Sequence, residues 1–245
     1  MKGILIVSHG TLDQEAKARS LDLLYEENKQ RAEIVLACFV SKKTIVGNNM
    51  LSLDEAMKKM LELGVDDLHI YNTFVIPGDI YHHFLTTIIP YEAFFKRFVI
   101  EKPLLHENSD FSSLARMLTR EYAIKPNQTY LLVGHGSSPH TNKLYAFLEA
   151  AFMKQQTTNV HLVLMHGHPS IDDLMPTLHT KQKIILLPLM MSAGHHVAHD
   201  VKQFKKSSIE TKLLEQGFEV EVLDKGLAEY RTIRDYIMHN EKTSI

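Results

Sequence analysis

Residues 4–11 of this chain read ILIVSHGT, and residues 130–137 read YLLVGHGS. Each stretch is an apolar run that breaks at a histidine set between small residues. This recurring unit constrains the fold more than any other feature of the sequence. An apolar run without polar alternation is a strand covered on both faces, as in a parallel sheet with helices on either side. The small residues after it let the backbone turn away and leave the histidine at the strand's carboxyl end.

The rest of the chain repeats the alternation. Strands are expected at 34–40, 68–76, 97–101, 160–165, 183–190 and 218–223. Helices are expected at 13–31, 52–63, from 79 onward, and at 111–122, 142–154, 171–178, 195–216 and 227–239. Ser52 with Glu55 three residues on is a capping box, and Gly64 closes the helix that it opens. Residues 41–50 are ambiguous. Alternating strands and helices imply parallel sheets. The strand ending in Pro77-Gly78 parallels the one ending in Ala193-Gly194, and paired histidines follow both, His82-His83 and His195-His196. The expectation is therefore a duplicated α/β protein of two similar domains, each a parallel sheet flanked by helices, with a ligand cleft between them. The turn at 125–128 divides it into an N-terminal domain, 1–125, and a C-terminal domain, 126–245, that carries the metal-binding histidines.

Composition narrows the function. The chain has 245 residues, a formal net charge of -2, one cysteine and 15 histidines. The charge gives no reason to expect nucleic acid or an anionic membrane surface as partner. A single cysteine excludes an internal disulfide and fits the cytoplasm. No apolar stretch approaches the ~18 residues of a membrane span. The histidine excess favours metal or acid/base chemistry.

The histidines are not scattered. His135, His166 and His196 each follow a buried strand, and such strand ends share one edge of a parallel sheet, where α/β proteins bind ligands. The pattern points to a shared site for these three, whereas one such histidine alone would be an ordinary hydrogen-bonded residue. His195 and His199, four apart, resemble a zinc-protease helix. His196 stands where the catalytic glutamate would be, so that reading fails, and a solvated helix face explains the two about as well as ligation. The His-Gly pairs also resemble histidine phosphatases, but the preceding arginine is absent. Cys38 reads as a buried small residue.

Taken in order, Ser8-His9-Gly10-Thr11, Ile76-Pro77-Gly78, Val133-Gly134-His135-Gly136, the stretch 167–173 (GHPSIDD), Leu187-Pro188-Leu189-Met190 with Ala193-Gly194, and Lys225-Gly226-Leu227 before Ile233-Arg234-Asp235 resemble the anaerobic-type sirohydrochlorin cobaltochelatases of the class II chelatase superfamily. The resemblance covers nearly the whole chain. It implies a tetrapyrrole cleft and ATP-independent insertion of a divalent metal, cobalt first and iron or nickel next, into sirohydrochlorin, in cobalamin or sirohaem biosynthesis. It implies no organic cofactor, and a homo-oligomer is compatible with it. It makes His135 and His196 the catalytic histidines, holding the metal and accepting pyrrole protons, and His166 a third ligand or proton relay. The expected substrate contacts are His9, Gly10, Thr11, Pro77, Gly78, Gly136, Ser137, Ala193 and Gly194. One departure stands out: His166 occupies the family's acidic position. Imidazole leaves the ion's charge intact and suits cobalt, nickel, zinc or iron over magnesium or calcium. That departure motivates a second reading, a non-catalytic tetrapyrrole or metal carrier on the same fold.

Overall fold

The computed structural model describes residues 1–107, 109–178, 183–194, 201 and 208–239. Within them the chain forms two compact units, Met1–His106 with Arg231–Ile245, and Glu107–Tyr230.

The first unit holds four parallel strands, β1 (Lys2–Ser8), β2 (Ile34–Phe39), β3 (Asp67–Asn72) and β4 (Arg97–Ile100), in the order β2-β1-β3-β4. Ile4, Leu5, Ile6 and Val7 are at most 1% exposed, as the central strand of a sheet covered on both sides must be. Helices α1 (Gln14–Ala18), α2 (Leu21–Asn28), α3 (Lys42–Asn48), α4 (Leu53–Glu62) and α5 (Asp79–Ile88) supply the connections. In α4, Leu53, Ala56, Met57 and Met60 recur at helical spacing, and all four are buried in one core with Leu5, Leu68 and Ile70. Its expected capping box is present: the Glu55 amide donates to Ser52 Oγ, and Ser52 N donates to Glu55 Oε2 at 2.8 Å.

The second unit repeats this plan. Strands β5 (Thr129–Gly134), β6 (Val160–Leu164), β7 (Ile184–Pro188) and β8 (Val220–Val222) are parallel, in the order β6-β5-β7-β8. Strand for strand this is the order of the first sheet. Helices α6 (Phe111–Glu121), α7 (Pro139–Lys154), α8 (Ile171–Leu174) and α9 (Ile209–Glu215) belong to this unit, and α10 (Arg231–His239) follows it.

The two units differ from the expected halves at both ends. The expected boundary at 125 puts helix α6 in the first half; its buried Leu114, Ala115 and Leu118 belong to the second unit, where Gln155 Nε2 donates to the Ser112 carbonyl at 2.7 Å and Tyr122 Oη to that of Pro188 at 3.3 Å. Helix α10 instead joins the first unit. Arg234 donates from Nε to Glu27 Oε2 at 2.8 Å and from a terminal nitrogen to Oε1 at 2.7 Å, and this fork holds the Glu27 carboxyl below its ordinary range.

Smaller differences have local causes. The helix expected over 13–31 is two helices, because Ser20 leaves helical geometry and turns its hydroxyl back onto the Ala16 carbonyl at 2.6 Å. The helix expected at 227–239 is a 3-10 turn, Leu227–Glu229, followed by α10. Of the helix expected over 195–216, the described part is α9, capped by Ser208. No helix among the described residues is long and apolar enough to cross a membrane.

Candidate active site at the carboxyl ends of the second sheet

Strand β5 runs straight into Gly134, His135 and Gly136, and its neighbours stay paired with it past their own ends. Met165 N donates to the Gly134 carbonyl and His166 N to the His135 carbonyl, both at 3.0 Å, while Leu189 N donates to that of Val133 at 2.8 Å. His135 and His166 are thus held on one rung of the ladder by backbone bonds, independently of their side chains. Their ring centroids lie 5.0 Å apart with the planes at 61°, and both residues are exposed.

His135 Nδ1 lies 3.1 Å from the Gly136 carbonyl oxygen. A carbonyl only accepts, so in this contact Nδ1 carries the proton, and in the neutral ring Nε2 is then the nitrogen with the lone pair. Gly136 is required in two ways. Its φ is +86°, and a Cβ there would overlap the His166 carbonyl oxygen, so any side chain would part the two histidine loops.

Two residues that sequence reasoning missed, Tyr145 and Asn142, support these loops, and Gly226, named there only as part of a motif, supports the turn after β7. Tyr145 is buried under Gly134, where a Cβ would come within 3.0 Å of its ring, and its hydroxyl meets the Gly136 backbone; burial pushes its phenol far above the ordinary tyrosine range. Asn142 accepts from Ser137 N at 2.8 Å, donates to the Ser137 carbonyl at 3.0 Å and abuts Gly167, so it braces the β5 loop against the β6 loop. Gly226 lies against the turn after β7: a Cβ there would approach the Met191 carbonyl oxygen to 2.6 Å, while Leu227 N and Ala228 N donate to the carbonyls of Met190 and Met191. The Lys225-Gly226-Leu227 motif therefore fixes the chain leading to Ala193 and Gly194, both buried.

His168 and Asp173 complete the β6 loop. Asp173 Oδ2 takes the Ser170 hydroxyl, the Ser170 amide and His168 Nδ1, each at 2.7 Å. With the Ser170 hydroxyl the largest cause, this carboxyl falls from 3.8 to about 2.

Of the expected ligands, the structure brings His135 and His166 together. His196, like His195 and His199, lies outside the described residues. Among the described residues no three His, Cys, Asp or Glu side chains gather to hold a metal ion. Cys38 is fully buried, and burial keeps its thiol protonated, as a packing residue requires.

The remaining expected contacts sit at the carboxyl end of the first sheet. His9 is exposed, and its carbonyl accepts from Ser41 N at 3.2 Å and Thr44 Oγ1 at 3.3 Å. Gly10, at φ +101°, packs against Thr44 and Phe39, and the Thr11 carbonyl accepts from Asn48 Nδ2 at 2.8 Å. Pro77 and Gly78 are half-buried, and Gly78 precedes α5 as its N-cap.

Two parallel four-stranded sheets of matching strand order, with a histidine pair at the carboxyl edge of one, define an α/β protein of the chelatase fold. The structure matches that of the sirohydrochlorin chelatase SirB from Bacillus subtilis subspecies spizizenii in complex with cobalt, with a TM-score of 0.65 at 11% identity, covering 96% of this chain and 92% of that one. SirB from Bacillus subtilis with Fe3+ matches with a TM-score of 0.68, also at 11% identity and over the same shares of each chain. Residues 2–245 match the model of the cobalt chelatase (CbiK) family, and the chain belongs to that family. It is also 25% identical over 183 residues to the sirohydrochlorin cobaltochelatase of Salmonella typhimurium, covering 74% of this chain and 69% of that protein.

Proposed function

We propose that this chain inserts divalent cobalt into sirohydrochlorin without ATP, with iron and nickel as the next-best ions, and that the product enters cobalamin or sirohaem synthesis. Membership of the cobalt chelatase family and the Salmonella typhimurium relative support the reaction class. The observation that carries the mechanism is the His135–His166 pair, held on one backbone rung with the His135 tautomer set.

Insertion releases two pyrrole N–H protons as the ion enters the ring. The protein must hold a partly dehydrated ion with open coordination positions and must accept protons near neutral pH. His135 offers Nε2 to the ion first and to a pyrrole proton once the ring nitrogens have taken the ion over. His166 is the second ligand, in the place of the family's carboxylate. His196, two residues beyond Gly194 in sequence, is the third and accepts the second pyrrole proton, as His135 accepts the first. Neutral nitrogen donors favour late first-row ions and leave the ion's full charge to draw the ring nitrogens in.

The test is direct. Purified protein is mixed with sirohydrochlorin and Co2+, Fe2+ or Ni2+, and metallation is followed by absorbance. Insertion well above the non-enzymatic rate is expected, fastest with Co2+. A rate equal to background with all three ions would leave the carrier reading in its place.

A further inference from the structure

The two sheets place different chemistry at equivalent positions. Ser41 N bonds the His9 carbonyl as His166 N bonds that of His135, and Val40 N bonds the Ser8 carbonyl as Met165 N bonds that of Gly134. Beyond this rung the second unit continues with His168, Asp172 and Asp173, whose carboxylates are taken up by Lys212 and by Ser170 with His168. The first unit continues with Lys42 and Lys43, the first two residues of α3, and the helix has no acidic residue in its first turn.

Both lysines are exposed, and neither pairs with a carboxylate among the described residues. Many lysines of the same unit do: Lys17, Lys29, Lys58, Lys59 and Lys96 each hold an Asp or Glu. Asp13, the acidic residue of the neighbouring loop, is turned onto Ala16 N as the cap of α1. Beside the lysines lie two apolar side chains that packing does not require outside: Leu12, 41% exposed, and Val46, 81% exposed. Gly47 lets Leu12 lie flat on α3, and Gln14–Asn48 and Asn48–Thr11 hydrogen bonds of 2.7 and 2.8 Å hold helix and loop together. The edge thus brings together an apolar patch, a histidine and two lysines that pair with no carboxylate among the described residues.

We infer that Lys42 and Lys43, with Leu12 and Val46, bind a macrocycle bearing several carboxylates: the lysines take the acidic arms, and the two apolar side chains take ring surface. This deepens the proposed function and rests on it, since sirohydrochlorin is such a molecule. Lys42 and Lys43 then set preference for the acid-rich ring and take no part in metal chemistry.

The probe is uroporphyrin, an octacarboxylate porphyrin, whose binding is read by fluorescence without metal. The K42Q/K43Q variant should bind about tenfold more weakly, the scale of two exposed ion pairs, and with a shallower salt dependence. K42R/K43R should stay near wild type, and so should K58Q/K59Q, which removes equal charge from α4. In the insertion assay, K42Q/K43Q should raise KM for sirohydrochlorin and leave kcat and the KM for Co2+ unchanged. Unchanged uroporphyrin affinity in K42Q/K43Q, or an equal loss in K58Q/K59Q, overturns the inference. Lysine-dependent uroporphyrin binding by a protein that inserts no metal upholds it while removing the functional reading. Metal insertion with KM for sirohydrochlorin unaffected in K42Q/K43Q does the reverse.

Discussion

At the carboxyl end of β1 the Ser41 amide bonds the His9 carbonyl; at the carboxyl end of β5 the His166 amide bonds the His135 carbonyl. Strand order, register and glycine placement are shared, with Gly10 and Gly136 both at positive φ. One side chain on that rung separates the two. In the first unit it is a serine, and His9 has no histidine opposite. In the second it is an imidazole 5.0 Å from its partner. Duplication supplies the scaffold twice, and in the function proposed above the imidazole at this position is one of the differences that fit the second copy to a metal. Gly136 shows how finely the second copy is fitted, because its missing side chain is what lets the two histidine loops touch.

The largest expected effect separates the two copies outright. His135→Ala should cut cobalt insertion by about 10²- to 10⁴-fold, the usual worth of a group that moves protons. His196→Ala should behave alike, whereas His199→Ala should change little. Initial rates at saturating sirohydrochlorin measure all three.

Gly136→Ala comes next. An L residue at this φ costs about 1–3 kcal/mol of backbone strain before any overlap with the His166 carbonyl is counted. A lowered melting temperature is expected, together with a loss of activity of about 10²-fold from displaced histidines. The matching Gly10→Ala change should lower stability but act on KM for the macrocycle, with no effect on cobalt affinity.

At His166, alanine should weaken cobalt binding by at least the roughly 10- to 100-fold that loss of a ligand's outer partner costs, because here a ligand itself is removed. Glutamate should retain insertion and shift preference among Co2+, Ni2+ and Fe2+, which competition assays would read.

The smallest effect is a pH dependence. Asp173 sits at about 2 in the folded protein against 3.8 ordinarily, so its deprotonated form is favoured by folding. The stability it lends is present above pH 3.8 and is lost as pH falls through about 2. Asp173→Asn should therefore melt earlier than wild type at pH 5 and at the same temperature near pH 2.

Much of this was legible in the sequence. Continuous apolar runs such as 4–7 and 130–133 have no other comfortable place than a doubly covered strand, and the Ser52–Glu55 box marked its helix to the residue. The pairing of His135 with His166 was legible because parallel strands bring their carboxyl ends to one edge. What depends on distant contacts was not. Residues 41–50 were ambiguous because α3 is short, closed by Asn49 in left-handed geometry and steadied by bonds from Asn48 back to Thr11. The boundaries slipped because α6 and α10 are amphipathic helices whose sequence does not say which sheet they cover. Asn142 and Gly226 reach loops far away in sequence, at Gly167 and Met191, and Tyr145 acts through burial beneath its own strand's loop. Only Gly226 carried a signal, its place in a motif with no chemistry of its own.

The central claim is that the second sheet's edge, and not the first's, holds the metal. Cobalt(II) is a spectroscopic reporter of its own ligands, so the decisive measurement is the visible spectrum of Co2+ titrated into wild type, His135→Ala and His9→Ala without macrocycle. Wild type and His9→Ala should give the same histidine-ligated spectrum and affinity, and His135→Ala should lose both. A spectrum that survives His135→Ala and vanishes in His9→Ala would contradict the account.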